Sequence, residues 1–117
     1  MKLQEQHWGD HDAFLFISEH GDASVCVRIV KSESTHAYIG SLWVAEKDRR
    51  KGIGGILLEQ AERLAKSKGC KFTAQWYIPR FTPKWTLDWY KRIGYMDFET
   101  DLNGDVLLIQ VSQANKI

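Results

Sequence analysis

Residues 38–77 read YIGSLWVAEKDRRKGIGGILLEQAERLAKSKGCKFTAQWY, and this stretch decides the fold of the chain. The apolar run over 38–44 predicts a strand, and Gly40 inside it indicates a bulge or a close approach to the backbone. Apolar residues then recur at helical spacing over 53–65, and residues 71–77 predict a further strand. A strand–helix–strand unit of this kind predicts two parallel strands joined by a right-handed crossover.

The predicted helix is amphipathic. Its apolar positions follow the spacing i, i+3, i+4, i+11 and i+12, and they are Ile53, Ile56, Leu57, Leu64 and Ala65. Gly69 is well placed to end the helix, because glycine readily adopts the left-handed conformation that is common after a last turn. The apolar stripe predicts that this helix packs on a sheet.

Further elements are predicted on both sides of this unit. Upstream, residues 13–17 predict a buried strand, residues 20–22 a turn and residues 25–30 the returning strand of a hairpin. Residues 1–12 are polar and predict no element. The upstream part therefore contributes two antiparallel strands to the sheet.

A short helix and a closing hairpin are predicted downstream. Thr82 and Pro83 predict the N-cap and the first residue of the helix, and Gly94 is expected to end it. Residues 95–100 and 106–111 predict a hairpin that turns at Asn103 and Gly104. The element order predicts an α/β fold with a central mixed sheet flanked by helices.

The composition is that of a single globular domain. The chain has 117 residues, of which 44% are hydrophobic and 26% are charged. It is therefore long enough for one core and too apolar for a disordered chain. We expect one domain over 1–117, with the tail from Ser112 frayed.

Charge and hydropathy exclude several classes of function. The formal net charge is +1, which argues against bulk electrostatic binding to nucleic acid or to a membrane surface. The longest apolar run, residues 13–17, is far too short for a transmembrane helix. Residues 1–12 lack the apolar segment of a secretory signal, so the sequence predicts a cytoplasmic protein.

Cysteine and histidine form no metal or redox motif. Cys26 and Cys70 do not belong to a CxxC pair, so we expect two reduced thiols that pack as small apolar side chains. The four histidines lack the spacing of metal ligands. They are His7, His11, His20 and His36. No metal is predicted.

The stretch with the clearest chemistry is residues 49–55, RRKGIGG, between the strand and the helix. Glycines there leave backbone N–H groups uncovered at a helix N-terminus, whose positive partial charge suits a phosphate or pyrophosphate. A tight turn in a solvated basic loop would have the same composition. Two known phosphate loops do not match: the Walker A pattern is missing, and Leu57 stands where the dinucleotide motif needs its third glycine.

A third pattern does match. Residues 49–54, Arg-Arg-Lys-Gly-Ile-Gly, follow the rule Arg or Gln, two residues, Gly, one residue, then Gly or Ala. Residues 87–95 contain a Tyr followed four residues later by Gly and then an aromatic residue. On these motifs, and on their order relative to the strand and helix, the sequence resembles the GNAT superfamily of acyl-CoA-dependent N-acetyltransferases. The resemblance covers roughly residues 14–111.

The resemblance implies a site for acetyl-CoA as co-substrate. Backbone amides of the loop would hold the pyrophosphate, and they belong to Arg50, Lys51, Gly52, Ile53, Gly54 and Gly55. The strand edge of Leu42, Trp43 and Val44 would pair with the pantetheine arm, between two splayed parallel strands. A backbone N–H near Val44 would also polarise the thioester carbonyl.

The resemblance also implies a catalytic tyrosine. Tyr90 matches the family's general acid, which protonates the departing CoA thiolate after direct attack by a neutral amine. Core packing is the alternative interpretation of the same residue. The general base stays open, because residues 37–45 and 72–87 contain no Asp or Glu. Its candidates are Glu19, His36, Glu46 and a chain of waters.

Two features depart from the family. Pro83 stands where members often have an Asn that contacts the cofactor, and only residues 1–12 precede the first predicted strand, where members commonly have a strand and two helices. We therefore expect an acceptor side that is open or is completed by a second subunit in a homodimer.

Five aromatic residues near the second helix predict either core packing or a wall for the acceptor amine. They are Trp76, Tyr77, Phe81, Trp85 and Trp89.

The sequence thus predicts an N-acetyltransferase that moves the acetyl group of acetyl-CoA to a primary amine of a small molecule or a peptide. A non-catalytic acyl-CoA-binding module with the same fold is the second hypothesis. A small interaction protein that uses the fold as a scaffold is the third. The acceptor stays open among polyamines, amino acids, antibiotics and protein lysines.

Overall fold

The computed structural model describes residues 2–19, 21–33 and 35–111. In chain order the elements are β1 Lys2–His7, β2 His11–Ile17, β3 Ala23–Val30, β4 His36–Val44, α1 Ile53–Ser67, β5 Phe72–Tyr77, α2 Lys84–Arg92, β6 Met96–Thr100 and β7 Val106–Val111. Short 3₁₀ turns at Lys31–Glu33 and Glu46–Asp48 flank β4. The predicted fraying from Ser112 lies outside the described residues.

The strands form one mixed sheet in the order β1-β2-β3-β4-β5-β7-β6. β4 and β5 are parallel, and the other neighbouring pairs are antiparallel. The predicted α/β fold with a mixed sheet is therefore confirmed, as are the parallel pair around α1 and the closing hairpin of β6 and β7.

The expectation of no element over residues 1–12 is wrong. β1 pairs with β2 from Lys2 opposite Ile17 to His7 opposite Asp12, and β2 begins at His11. All six side chains of β1 are exposed. An edge strand of this kind is held by its backbone ladder and buries no apolar row, so it leaves no alternating pattern in the sequence.

α1 packs on the sheet with the predicted stripe, except for Ile56. Its buried side chains are Leu57, Leu58, Ala61 and Ala65. The predicted Ile56 keeps 53% of its surface exposed, and Ile53 and Leu64 are half-buried. The apolar stripe therefore also includes Leu58 and Ala61, and a spacing count alone does not locate this edge of the stripe.

The second helix begins one residue later than predicted. Pro83 is the N-cap, with φ −67° and ψ 154°, and α2 starts at Lys84. The extended ψ places Pro83 outside the helix, since a helical residue needs ψ of about −40°. Gly94 follows the helix with φ +111°, a conformation that glycine tolerates and that turns the chain into β6.

Both helices lie on the same face of the sheet. Tyr90 of α2 belongs to the buried cluster that contains the α1 side chains. The registers place a second row on the opposite face, Gln4–Leu15–Cys26–Gly40, and none of its members is buried. No helix among the described residues covers this opposite face, which we call the open face. Within the same residues, neither helix is long and apolar enough to cross a membrane.

Candidate active site

A cleft opens between the two parallel strands. β4 and β5 pair only from His36 opposite Phe72 to Tyr38 opposite Ala74, although β4 continues to Val44. The register of β4 against β3 shifts beside Gly40, where the sequence predicts a bulge. A bulge bends its strand and adds twist. β4 therefore leaves β5 after Tyr38, and beyond that residue the edge of β4 away from β3 pairs with no strand in the described part of the chain.

The backbone of Val44 faces this cleft. Ala45 N–H donates to the Asp22 carbonyl at 2.8 Å, on the β3 side, and the Ala23 carbonyl accepts from Ser18 N–H at 2.9 Å, on the β2 side. Successive residues of a strand point their backbone groups to opposite edges. The N–H and C=O of Val44 therefore point away from β3, toward the open edge.

The residues of the predicted strand edge do not all face the cleft. Trp43 lies opposite Ser24 of β3, one residue before Val44, so its backbone points to β3 and its ring is exposed. The Leu42 side chain packs against the core. The Val44 carbonyl accepts a hydrogen bond from Arg49 Nε at 3.1 Å. Arg49, the first residue of the loop motif, thus holds the end of β4. The sequence motif does not reveal this role.

The loop ends in an uncovered helix N-terminus. Gly52 is the N-cap of α1 with φ +80°, and the first helical bond runs from Ile56 N–H to the Gly52 carbonyl at 3.1 Å. The N–H groups of Ile53, Gly54 and Gly55 precede that bond, so they lack partners within the helix. The first turn holds no acidic residue. These donors and the helix dipole make the end of α1 suitable for an anion.

Two exposed cations of the same loop add to this field. Arg50 adopts φ +67°, in the left-handed region, and is exposed. Lys51 is exposed as well, with its Nζ 3.4 Å from Asp48 Oδ1. The predicted loop residues thus surround the start of α1 and combine backbone donors with positive charge.

Gly54 is the point where three elements meet. A methyl group on its Cα would lie 3.7 Å from Val44 Cγ2 and 3.8 Å from Trp89 Cη2. The end of β4, the start of α1 and the aromatic side of α2 are therefore in contact range. The structure brings together the predicted strand edge, the predicted loop and the neighbour of the predicted tyrosine.

Tyr90 is nearly buried beside this junction. It keeps 9% of its surface exposed, and its ring centroid lies 5.0 Å from that of Trp89 and 5.6 Å from that of Tyr95. Burial raises the pKa of Tyr90 to about 12. The phenol is therefore protonated at neutral pH, as a proton donor must be. Its ring belongs to the core as well, so the two interpretations of Tyr90 are compatible in geometry.

A buried amide at the cleft was missed by the sequence reasoning. Gln75 follows Ala74, the last β5 residue paired with β4. It is 6% exposed, and its Nε2 has no hydrogen-bond partner among the described residues. A buried donor without a partner costs roughly 1–3 kcal/mol, which makes Gln75 a candidate to contact a bound molecule. An isolated Gln in a strand gives no sequence signal of this.

The candidate bases are dispersed. His36 stacks on Phe72, with ring centroids 5.0 Å apart, at the paired end of β4 and β5. Glu19 is exposed after β2, and Glu46 is exposed in the 3₁₀ turn after β4. The general base stays a hypothesis for all three.

The five predicted aromatic residues do not form one wall. Tyr77 is buried in the core and Trp89 packs against it. Trp76, Phe81 and Trp85 are exposed.

Cys70 is buried and Cys26 half-buried, both as free thiols. The described residues include no cluster of three His, Cys, Asp or Glu side chains able to hold a metal ion.

The chain matches one family over most of its length. Residues 1–95 match the model described as the acetyltransferase (GNAT) family. No curated protein matches the chain.

Solved structures share the fold at low sequence identity. An acetyltransferase from Bacillus cereus has a TM-score of 0.64 and 24% identity, covering 87% of this chain and 73% of that protein. The PaiA N-acetyltransferase from Thermoplasma acidophilum, in complex with coenzyme A, has a TM-score of 0.70 and 18% identity over 87% of this chain and 61% of its own. Tetrahymena GCN5 has a TM-score of 0.68 and 13% identity, over 91% and 71%. At these identities the likeness shows the fold.

Proposed function

Because the chain belongs to the acetyltransferase (GNAT) family, we propose that it is a cytoplasmic enzyme that transfers the acetyl group of acetyl-CoA directly to a primary amine. One observation carries this proposal. Three features meet around Gly54: the N–H groups at the start of α1 that have no helical partner, the open edge of β4, and the α2 helix that bears Tyr90. This arrangement fits a ligand whose pyrophosphate binds at the start of α1 and whose arm runs along the open edge of β4, which carries its thioester away from the loop toward Gly40.

The chain's own groups divide the work of the reaction. The N–H groups of Ile53, Gly54 and Gly55, with the charges of Arg50 and Lys51, hold the pyrophosphate. The Val44 N–H faces the cleft and donates to the pantetheine arm, which pairs with the open edge of β4 as a further strand would. The amine nitrogen forms the new C–N bond as the C–S bond breaks.

Tyr90 supplies the proton that the leaving group requires. The departing thiolate takes the phenolic proton of Tyr90, and the amine loses its own proton to a base or to water. The shielded position of Tyr90 keeps that proton in place until the thiolate forms. Acetyl-CoA brings the activated acyl group, and the protein brings position, donors and the proton.

The second hypothesis, a non-catalytic acyl-CoA-binding module, rests on one observation. Residues 37–45 and 72–87, which include β4 from its second residue and all of β5, have no carboxylate to deprotonate the amine. Such a protein would keep the anion site at α1 and lose turnover.

One pair of measurements separates these hypotheses. Isothermal titration measures acetyl-CoA affinity, and a thiol-release assay with mass spectrometry measures acetylation of a panel of polyamines, amino acids, aminoglycosides and lysine peptides. We expect micromolar binding and an N-acetylated product from at least one class. Binding without any product would favour the non-catalytic module, and no binding would favour the interaction scaffold.

We also propose that two copies associate through the β5–β7–β6 part of the open face. Trp76 lies opposite Leu107, and Met96 opposite Ile109, with Trp76 and Met96 exposed. An apolar patch of this kind marks an interface, and a twofold axis would pair it with itself. Light scattering should give twice the 13.5 kDa chain mass, and Met96→Glu should restore the monomer. A wild-type monomer at micromolar concentration would contradict this proposal.

A further inference from the structure

The other end of the open face contains a groove of about 290 Å³. Ala13, Leu15 and Cys26 form its floor, and Gln4, Trp8 and Arg28 are among its lining residues. These residues belong to β1, β2 and β3 or to the turn between β1 and β2. The groove is therefore apolar at the bottom and polar at the rim, as small-molecule sites commonly are.

The groove adjoins the cleft across a single strand. Cys26 pairs with Gly40 and Arg28 pairs with Tyr38, and Tyr38 is the last β4 residue bonded to β5. A Cβ on Gly40 would have nothing within 4 Å, so the surface between groove and cleft is unobstructed there. Arg28 and Gly40 are diagonal neighbours on the adjacent strands β3 and β4. Residues in this relation are about 7–8 Å apart.

Among the lining residues of this groove, Arg28 carries a permanent charge. Arg28 is exposed, its guanidinium carbon lies 6.0 Å from the centroid of the Tyr38 ring, and it makes no ion pair with a described residue. The carboxylates of the nearby strands belong to the helix-covered face, since Glu5 pairs with Phe14 and Asp12 with Ile29.

Two further titratable groups lie at the far end of the groove. Asp10, in the turn after β1, is bonded to His11 Nδ1 at 2.8 Å. His11 in turn stacks on Trp8, with ring centroids 4.6 Å apart. Asp10 is therefore already paired, and the Arg28 guanidinium is the charge that faces an incoming ligand.

We infer that this groove binds the acceptor, and that the acceptor is an amine that also carries a carboxylate. This inference rests on the proposed acetyl transfer and names its substrate class. The Arg28 guanidinium pairs with the carboxylate, a contact that a planar fork of donors makes in bidentate form. The apolar floor takes the methylene chain, and the amine reaches past Gly40 to the thioester. A polyamine is disfavoured, because its second ammonium would meet Arg28.

A matched pair of acceptors tests the inference. In 6-aminohexanoate and 6-aminohexanamide the amine and the chain are identical, and the chain is about as long as the Arg28–Gly40 diagonal. We expect the wild-type KM for the carboxylate to be at least about tenfold lower than for the amide. Arg28→Gln should remove that difference by raising the KM of the carboxylate to that of the amide, and Arg28→Lys should retain part of the difference. Arg63→Gln, on the solvent side of α1, is the control that should change neither.

The outcomes separate this inference from the proposed function. Equal KM values for the two acceptors, or a preference that survives Arg28→Gln, would overturn the groove assignment while acetylation itself stands. If neither acceptor is acetylated, isothermal titration of both compounds into the CoA complex decides. Binding of 6-aminohexanoate that Arg28→Gln abolishes supports the groove, and absence of binding overturns it. Melting temperatures confirm that each variant is folded.

Discussion

Replacing Gly54 by glutamate should abolish acetyl-CoA binding, raising Kd by about 100-fold or more. The new carboxylate would stand at the N-terminus of α1 and compete with the pyrophosphate for the same donors. Each hydrogen bond to a charged group contributes about 1.5–3 kcal/mol, so loss of two accounts for this factor. Isothermal titration with acetyl-CoA measures the effect.

The fold should survive this substitution. The added Cβ would make ordinary contacts of 3.7 and 3.8 Å with Val44 and Trp89, and a carboxylate in the first turn interacts favourably with the helix dipole. Gly54→Ala is the matched control for size, and it should keep most of the affinity. Gly52→Asp is a weaker test, because φ +80° at that position strains any other residue. Unchanged affinity in folded Gly54→Glu would remove the pyrophosphate from this helix end.

Tyr90→Phe should lower kcat by about 10²–10⁴-fold, the usual contribution of general acid catalysis, while acetyl-CoA affinity stays within about twofold of wild type. The ring keeps its volume, so its packing against Trp89 and Tyr95 is preserved. Steady-state kinetics, titration and the melting temperature of the same variant measure the three quantities.

Tyr95→Phe is the matched control for this experiment. Its ring lies 5.6 Å from that of Tyr90, and its hydroxyl shares a 2.8 Å hydrogen bond with Thr73 Oγ1. Losing that bond should cost about 1 kcal/mol of stability and leave kcat near the wild-type value. If Tyr90→Phe behaved in the same way, with a lowered melting temperature and an unchanged rate, Tyr90 would be a core residue alone.

The pH dependence should follow from the buried phenol. Since burial raises the pKa of Tyr90 to about 12, the acid stays protonated while the amine, with a pKa of about 10.4, loses its proton. The rate should therefore rise with pH and show no fall before about pH 12.

The raised pKa of Tyr90 also affects stability. It stabilises the fold fully below the unfolded tyrosine pKa of about 10, and this contribution is lost as pH rises toward 12. Tyr90→Phe should reduce that alkaline loss of melting temperature.

The sequence predicted the parts of the fold that depend on residues close together in the chain. The strands around Val27 and Ile39 show in the sequence because their side chains are buried and their apolar residues are contiguous or alternating. β1 did not show, because its six exposed residues contribute only backbone bonds. The rotation of α1, which exposes Ile56, depends on where the sheet lies and not on the helix itself.

The candidate site divides in the same way. The loop from Arg49 to Gly55 was predictable as a candidate anion site, because glycines that start a helix after a strand leave consecutive backbone N–H groups uncovered. The bond from Arg49 to the Val44 carbonyl and the buried amide of Gln75 were not, since each requires knowing which strand edge stays unpaired. Periodicity carries no information about that edge.

The sequence by itself determined the element order after residue 13, the parallel pair around α1, the candidate anion-binding loop and the candidate acid Tyr90. Each of these depends on residues close together in the chain. Only the tertiary structure decided that both helices lie on one face, that β4 leaves β5 after Tyr38, and that Arg28 lies one strand away from the resulting cleft. These depend on contacts between distant segments, and the physical reason is that strand register and helix rotation are set by packing across the whole sheet.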